Sequence, residues 1–265
     1  MSLSQKIASH LPYLRRYARA LTGSQAAGDS MVRLTLETAL ADEALRQSLN
    51  EGRVPLYRLF LQVLAKEKTE SPTSAADASK REAAAQGRLG GITPASRKAL
   101  LLTTVEEFSL AEAAQVMELD LDKVEALVAD AIAELNSEQA AQVMIIEDEP
   151  MIMVQLEDLV LSMDHQVCGR ATTHKEAIRA VQAHKPDLVL ADIQLADGSS
   201  GVEAVAEILT QIDVPVIFIT GFPERLLTGE TTEPTYLVTK PFREETVKAT
   251  ISQALFFASP RHKAA

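Results

Sequence analysis

Acidic, hydroxyl and ammonium groups close a series of short apolar runs in the second half of the chain. Three acidic residues follow the first run, an aspartate closes the third, a threonine the fourth and a lysine the fifth. Carboxylates gathered in one pocket repel one another unless a divalent cation or a lysine compensates their charge. An aspartate in such a pocket can accept a phosphoryl group, because fixed positive charge offsets the charge on the transferring oxygens. The residues are Glu147, Asp148, Glu149, Asp192, Thr220 and Lys240.

The elements that would position these groups alternate between strand and helix. The runs "VMII", "VCG", "DLVLAD", "VIFIT" and "YLVT" have the length and apolar content of buried strands. Helical patterns separate them at about 151–163, 174–184, 201–212 and 243–257, with a weaker one at 223–235. This order predicts an α/β flavodoxin-like (βα)5 domain over residues 141–265, with its site at the carboxyl ends of the strands.

The acidic, threonine and lysine motifs, taken together, closely resemble the receiver domain of two-component response regulators. Their successive spacings are 44, 28 and 20 residues from Asp148 through Asp192 and Thr220 to Lys240. The resemblance implies that Asp192 is the phospho-acceptor and that the cofactor is Mg²⁺. It further implies metal ligation by Glu147, Asp148, Asp192 and the backbone carbonyl of Gln194, and phosphoryl contacts by Thr220 and Lys240.

Several positions depart from the common receiver pattern. Glu147 stands where receivers more often have Asp, and "FITGFP" resembles a Phe-x-Thr-Gly receiver subgroup of alphaproteobacteria that commonly lacks conventional output coupling. The usual switch aromatic lies three residues before the lysine, where this chain has Leu237, and Tyr236 lies one position earlier. The lysine is followed by Pro241, a position at which the peptide bond is commonly cis.

Residues 1–140 carry apolar residues at helical spacing, so this region is expected to be all-α. We expect two helical subdomains, at about 1–66 and 92–138, joined by a polar linker over 67–91 rich in Ala and Ser. The segment from Ser109 to Leu135 has a helix-turn-helix rhythm and resembles the DNA-reading region of extracytoplasmic-function sigma factors. The runs "LPYLRRYARALTG" and "GDSMVRLTLETAL" resemble the polymerase-binding helices of the same factors.

The charge of the helix-turn-helix segment is opposite to that of a DNA reader. Residues 97–140 hold three basic and ten acidic residues, a net charge of −7. Glu125, Leu127 and Asp130 stand on the second helix where sigma factors tend to be basic or polar, and the whole chain has a charge of −11. Carboxylates near phosphate are repulsive, and the counter-ion release that drives DNA affinity is absent. We therefore expect no DNA binding.

Four arginines of the helical region need a separate explanation. Arg15, Arg16, Arg19 and Arg58 are expected to form a solvated helix face, and contact with an acidic partner is the alternative. Under that alternative they pair with carboxylates of the acidic receiver half, and charge reversal at the first three changes the closed interface.

The combination of the two halves resembles the PhyR family, the general stress response regulators of alphaproteobacteria. The resemblance implies a phosphorylation-controlled anti-anti-sigma factor rather than an enzyme. In this mechanism, phosphorylation of Asp192 releases the sigma-like domain from an intramolecular interface with the receiver. The freed domain then sequesters the anti-sigma factor NepR, which leaves the real sigma factor free. The phosphoryl donor is a sensor histidine kinase or a phosphotransferase.

Two other output classes are alternatives to this interpretation. A DNA-binding response regulator would use the helix-turn-helix and bind DNA in a salt-dependent manner after phosphorylation. An RNA-binding antiterminator would need a basic helical surface, which residues 97–140 lack. The acidic second helix argues against both.

Composition supports a cytoplasmic location. A single cysteine, Cys168, excludes an intramolecular disulfide, and no apolar run reaches the roughly 18 residues of a membrane span. We expect neither a membrane anchor nor a secretion signal.

Overall fold

The structure, a computed structural model, describes residues 3–70, 94–135, 139–195, 198–223, 226 and 234–258. Its described residues divide into two compact units, one running up to Ala131 and the other starting at Ile132. Among the described residues, no helix is both long enough and apolar enough to cross a membrane.

The described part of the first unit is built from helices, as expected. Apolar stripes become its core: Leu14, Ala18 and Leu21 are fully buried in the first helix. Two aromatic rings link this helix to the fourth, with the Tyr17 and Tyr57 centroids 5.5 Å apart. The helices are α1 Leu3–Thr22, α2 Gln25–Ala41, α3 Glu43–Ser48, α4 Arg53–Glu70, α5 Ala95–Thr104, α6 Leu110–Met117 and α7 Leu121–Leu135, with a 3-10 turn at Leu49–Glu51.

A buried carboxylate, Glu106, joins the two helical subdomains within this unit. Its Oε1 accepts a hydrogen bond of 3.0 Å from Arg16 Nε, and its Oε2 accepts one of 2.7 Å from the Tyr57 hydroxyl. Arg53 donates to the backbone oxygens of Glu106 and Glu107, at 2.8 and 2.9 Å. The segment between α5 and α6 is thereby held against α1 and α4.

The arginines of α1 do not form the expected solvated face. Arg19 has no exposed side-chain surface and its guanidinium contacts Asp29 at 2.8 Å, while Arg15 contacts the same carboxylate at 3.2 Å. With Arg16 paired to Glu106, all three contact acidic residues of their own unit. The expectation that they are solvated is wrong, because α1 packs closely enough against α2 and the segment between α5 and α6 for these guanidinium groups to reach Asp29 and Glu106. Charge reversal at these positions would disrupt the helical unit itself.

The close approach of α1 and α2 depends on a missing side chain. A Cβ on Gly28 would lie 2.6 Å from the backbone nitrogen of Arg19. Any larger residue would separate the helices and draw Asp29 away from its arginines.

The second unit contains a five-stranded parallel sheet. The strands are β1 Gln142–Ile146, β2 Gln166–Ala171, β3 Leu188–Ala191, β4 Val216–Thr220 and β5 Tyr236–Thr239. Their order in the sheet is β2-β1-β3-β4-β5, the flavodoxin-like order expected from the sequence. The helices are α8 Pro150–Ser162, α9 His174–Ala183, α10 Gly201–Gln211 and α11 Glu244–Ala258.

The bounds of these helices differ from the sequence-based ones by about one residue, which is ordinary fraying at helix ends. The weak helical pattern at 223–235 lies largely outside the described residues. Helix α4 runs to Glu70, four residues into the expected linker at 67–91. The rest of that linker, from residue 71, also lies outside the described residues.

Candidate functional site

The carboxyl ends of the central strands meet at one edge of the sheet. The backbone nitrogen of Asp192 donates to the carbonyl of Ile146 at 2.9 Å, which sets the end of β3 beside the end of β1. The backbone nitrogen of Lys240 donates to the carbonyl of Thr220 at 2.8 Å, which ties the end of β5 to β4. Parallel pairing therefore brings together residues nearly one hundred positions apart in sequence.

Lys240 lies among the carboxylates of this edge. Its Nζ is 2.7 Å from Asp192 Oδ2 and 2.8 Å from Glu147 Oε2. It also lies 3.4 Å from Glu149 Oε1, although the Glu149 side chain is mostly exposed. Burial alone lowers the pKa of the lysine, but its hydrogen bonds to Asp192 and Glu147 outweigh burial, so the net shift is upward and the ammonium form is favoured.

Glu147 has the most perturbed carboxylate of the site. Burial raises its pKa, Lys240 lowers it and the negative charge of Asp192 raises it again, leaving a pKa of about 7. Its Oε2 is buried and accepts no well-aligned hydrogen bond, although the ammonium group of Lys240 is 2.8 Å away. An additional cation at this oxygen would therefore satisfy an acceptor that the protein leaves open.

The donor set suits a small, hard divalent cation. Carboxylate oxygens of Glu147, Asp148 and Asp192 lie within 4.8 Å of one another. Oxygen ligands from a few carboxylates are typical of Mg²⁺, which retains several waters in such sites. This acidic cluster, at the carboxyl edge of a receiver-type sheet, is typical of a magnesium site.

The Asp192 carboxylate is oriented by the backbone that follows it. Its Oδ1 accepts hydrogen bonds from the backbone nitrogens of Ile193, at 2.5 Å, and Gln194, at 3.4 Å. With Oδ2 held by Lys240, both oxygens of the carboxylate have fixed donors. Gln194 also pairs with Ser200 in an isolated antiparallel bridge, which returns the chain toward the site.

Thr220 lies at the end of β4, fully buried, and its hydroxyl oxygen accepts a hydrogen bond of 3.1 Å from the backbone nitrogen of Phe222. The Lys240–Pro241 peptide bond, whose isomer the sequence leaves open, is cis. At the usual switch position, Leu237 is 2% exposed in the core, and Tyr236 is 4% exposed. Both side chains therefore point into the core in this structure, and the one at the switch position is a leucine instead of an aromatic residue.

Sequence reasoning assigned no role to two residues that contact this site. Glu149 was grouped with the acidic triplet without a role, and in the structure it approaches Lys240. Gly201 was not recognised at all, although its Cα packs against the backbone of Asp192. A glycine at the first position of a helix carries little sequence signal, because it is unremarkable unless the neighbouring backbone is known.

The helix-turn-helix of the first unit is well formed but acidic. Ser109 and Glu112 make a reciprocal capping box at the start of α6. Glu118 ends that helix in the left-handed conformation, with φ of 55°, so this turn accommodates an acidic residue where glycine is usual. Glu125 and Asp130 are exposed on α7. The surface that would meet a DNA backbone is therefore negatively charged.

Comparisons with known families cover most of the chain. The Sigma2 domain of PhyR matches residues 7–61, and the sigma-like domain of the response regulator PhyR matches residues 89–139. The response regulator receiver domain matches residues 143–252. These matches follow the order of the elements described above.

Individual relatives match along their whole length. The phyllosphere-induced regulator PhyR of Methylorubrum extorquens is 48% identical over 97% of this chain and 96% of its own. The crystal structure of the anti-anti-sigma factor PhyR from Bartonella quintana is 48% identical, with a TM-score of 0.84 over 99% of both chains. The same Bartonella protein in a co-crystal with the anti-sigma factor NepR is 46% identical, covering 97% of this chain and 99% of that one, with a TM-score of 0.39.

Proposed function

This chain belongs to the PhyR family of response regulators, and we propose that phosphorylation of Asp192 enables its sigma-like unit to sequester a NepR-type anti-sigma factor. The protein is an anti-anti-sigma factor and not an enzyme. Capture of the anti-sigma factor leaves the cognate sigma factor free to engage RNA polymerase for general stress response transcription. Because its partners act on transcription, we place the protein in the cytoplasm.

The observation that carries this proposal is that one chain contains both a phosphorylation site and an acidic, sigma-like helix-turn-helix. The receiver unit holds the Asp192 carboxylate 2.7 Å from Lys240 Nζ, in the arrangement that phosphoryl transfer needs. The sigma-like unit keeps a folded helix-turn-helix but exposes Glu125 and Asp130 on its second helix. A phosphorylation site thus controls a sigma-shaped surface whose charge disfavours DNA.

In the chemical step, a carboxylate oxygen of Asp192 forms a bond to phosphorus while the bond from phosphorus to the donor breaks. The donor leaves with the bonding electron pair; it is a phosphohistidine of a kinase or phosphotransferase, or acetyl phosphate in vitro. Lys240 donates to the phosphoryl oxygens in place of the carboxylate that it contacts now. The hydroxyl of Thr220 supplies a second donor from the end of β4.

Glu147, Asp148, Asp192 and the backbone carbonyl of Gln194 would hold Mg²⁺ at this edge. The ion would offset the negative charge that accumulates on the transferring oxygens. Phosphorylation replaces the singly charged carboxylate by a group carrying roughly −1.5 to −2 charges, which changes the electrostatics around Thr220 and Lys240.

Release of the sigma-like unit requires two states of the molecule. We propose that the unphosphorylated receiver binds the sigma-like unit intramolecularly and that the phosphorylated receiver binds it less well. A shift from mostly closed to mostly open needs a differential of about 5.5 kcal/mol, shared between phosphorylation and capture of the anti-sigma factor.

The test is binding of full-length protein to a purified NepR-type anti-sigma factor by calorimetry. Acetyl phosphate with Mg²⁺ is expected to tighten binding by at least about tenfold, which is ~1.4 kcal/mol. Asp192→Ala is expected to lose this gain, because it lacks the acceptor oxygen. The matched control is Asp158→Ala, which removes an exposed carboxylate of α8 and is expected to respond as the wild type does.

If acetyl phosphate tightens anti-sigma binding by the Asp192→Ala variant as much as by the wild type, the assignment of Asp192 as the phospho-acceptor is overturned. Salt-dependent retention of duplex DNA by the phosphorylated wild type, in place of anti-sigma capture, would instead support the DNA-binding alternative.

A further inference from the structure

We propose that Gly201 is a positioning residue for phosphorylation: its missing side chain lets the start of α10 pack on the backbone of Asp192 and thereby fixes the phospho-acceptor. The inference rests on the proposed function, because it concerns the reaction assigned there to Asp192. It adds a residue that neither contacts the phosphoryl group nor ligates the metal.

The space around Gly201 admits no side chain. A Cβ built on this residue would overlap the backbone carbonyl oxygen of Asp192. It would also lie 2.9 Å from the carbonyl carbon of Asp192 and 3.3 Å from Cα of Ile193. These neighbours are main-chain atoms, so a clash cannot be relieved by rotating a flexible side chain, and the backbone itself must move.

The packing is reinforced by a hydrogen bond. The backbone nitrogen of Gly201 donates to the carbonyl of Ile193 at 2.9 Å. Just before it, Gln194 pairs with Ser200, and the nitrogen of Leu195 donates to the carbonyl of Ser199 at 3.2 Å. The chain that leaves Asp192 is thus fastened to the first turn of α10.

Displacing this backbone would move the reacting groups. Asp192 Oδ1 accepts from the backbone nitrogens of Ile193 and Gln194, so the carboxylate follows any shift of that segment. The backbone carbonyl of Gln194, the proposed metal ligand, belongs to the same segment. Lys240 approaches from β5 and stays in place, so a shift misaligns the acceptor relative to its cation. Misplacement of a reacting group by about 1 Å can cost on the order of 100-fold in rate.

Glycine is needed here for space and not for backbone freedom. The positive-φ glycines of the described residues are Gly23, Gly52 and Gly198, and Gly201 is not among them. Alanine at 201 would therefore be compatible with the helical backbone and would act through the clash alone.

The experiment compares Gly201→Ala with two control variants in the full-length protein. Gly169→Ala is the same substitution in the same unit, where the nearest atom to the new Cβ is 3.5 Å away, an ordinary contact. Ser200→Ala removes the N-cap hydroxyl that accepts from the backbone nitrogen of Glu203, so it weakens α10 without adding a clash. Urea unfolding gives the stability of each variant.

The rate of phosphorylation by acetyl phosphate is measured at saturating Mg²⁺, well below the unfolding midpoint. Gly201→Ala is expected to lower the maximal rate by about 10- to 100-fold, while both controls stay within about twofold of the wild type. Calorimetry is expected to show weaker Mg²⁺ binding by Gly201→Ala. In the metal-free protein, the amide resonances of Ile193 and Gln194 are expected to shift in this variant and not in Gly169→Ala.

A Gly201→Ala variant that loses stability but keeps the wild-type rate would overturn the inference, since its glycine would then serve packing alone. If wild type and both controls also fail to become phosphorylated, it is the proposed function that fails. One measurement needs no variant: the Gly201 amide must be protected from hydrogen exchange in the wild type, and rapid exchange contradicts the proposed anchoring.

Discussion

Two buried glutamates show how their neighbours decide the role of a side chain. Glu106 is 4% exposed and is matched by the guanidinium of Arg16 and the hydroxyl of Tyr57. Glu147 is 1% exposed, shares Lys240 with Asp192 and has a pKa of about 7. The first carboxylate is satisfied and holds two subdomains together, whereas the second is poised for an additional cation.

The buried ion pair between Arg16 and Glu106 predicts a large loss of stability when the carboxylate is removed. Glu106→Gln keeps an acceptor for Tyr57 but leaves the Arg16 cation buried without its anion, so we expect a loss of about 3–5 kcal/mol. The measurement is urea unfolding followed by tyrosine fluorescence, because three of the four tyrosines, Tyr13, Tyr17 and Tyr57, belong to the helical unit. Glu107→Gln, an adjacent exposed glutamate, is the control and is expected to change stability by less than about 0.5 kcal/mol. Equal effects of the two variants would contradict the role of the buried pair.

The ion pairs of Arg15 and Arg19 with Asp29 predict that the stability of the helical unit depends on pH. Burial raises the pKa of Asp29, but the hydrogen bonds from Arg19 and Arg15 lower it by more than burial raises it. The pKa of Asp29 in the folded protein therefore lies below the ordinary value of 3.8. A depressed carboxylate pKa contributes stability above the unfolded pKa and loses it as pH falls through the folded one. Asp29→Asn is therefore expected to destabilise the helical unit at about pH 7, with a difference that shrinks below about pH 4. The measurement is the difference in urea midpoint between Asp29→Asn and wild type as a function of pH, with the exposed Asp158→Asn as the control. A difference that does not change with pH would argue against this linkage.

At the scale of elements, the helix-turn-helix is stabilised by the hydrogen bonds that cap the start of α6. The Ser109 hydroxyl accepts from the nitrogen of Glu112 at 3.2 Å, and the Glu112 carboxylate accepts from the nitrogen of Ser109 at 2.8 Å. The hydrogen bonds that the backbone nitrogen and the hydroxyl of Ser109 donate to the Glu112 carboxylate lower the pKa of Glu112. The fold of this motif is thus maintained by local contacts that are independent of the charges on the surface of α7.

Removing the cap should weaken the element. Ser109→Ala is expected to cost about 1 kcal/mol, because the backbone nitrogen of Glu112 loses its acceptor and the Glu112 carboxylate loses the hydroxyl that donates to it. Ser162→Ala is a suitable control, because the Ser162 hydroxyl lies at the carboxyl end of α8 and donates to the carbonyl of Leu159 without capping a helix start. Equal urea midpoints for Ser109→Ala and wild type would show that the capping box adds nothing to stability.

At the scale of the whole molecule, charge separates this protein from the sigma factors that it resembles. The chain carries −11, and residues 97–140 carry −7 of that charge. Long-range repulsion of this sign opposes the encounter with DNA before any base could be read. The same shape remains available to proteins that recognise sigma factors through apolar contacts.

Charge reversal on α7 should therefore change DNA affinity measurably. The wild type is expected to show no saturable binding to duplex DNA in fluorescence anisotropy at low salt. The double variant Glu125→Lys with Asp130→Lys is expected to gain weak binding whose affinity falls steeply with salt, as about two added phosphate contacts would produce. Saturable, sequence-selective binding by the wild type would contradict the proposed function.

Much of the architecture could be predicted from local sequence. Apolar periodicity distinguished the helical half from the α/β half, and the acidic, threonine and lysine motifs identified the residues now gathered at one edge of the sheet. This worked because each strand ends where its apolar run ends, and parallel pairing then places those ends together. The acidity of the helix-turn-helix was likewise readable without a structure, because charge is a property of composition.

Other features were decided by the tertiary structure. Sequence placed Arg15, Arg16 and Arg19 in solvent, yet their carboxylate partners lie on α2 and in the segment before α6. The partner of Arg16, Glu106, is 90 residues away along the chain, so no periodicity could relate the two. Gly201 is a similar case, because the need for a glycine arises from the backbone of Asp192, which only the folded sheet brings against it. Local pattern sets which element forms and which face is apolar, whereas pairing of buried charges and exclusion of a Cβ depend on atoms that meet only after folding.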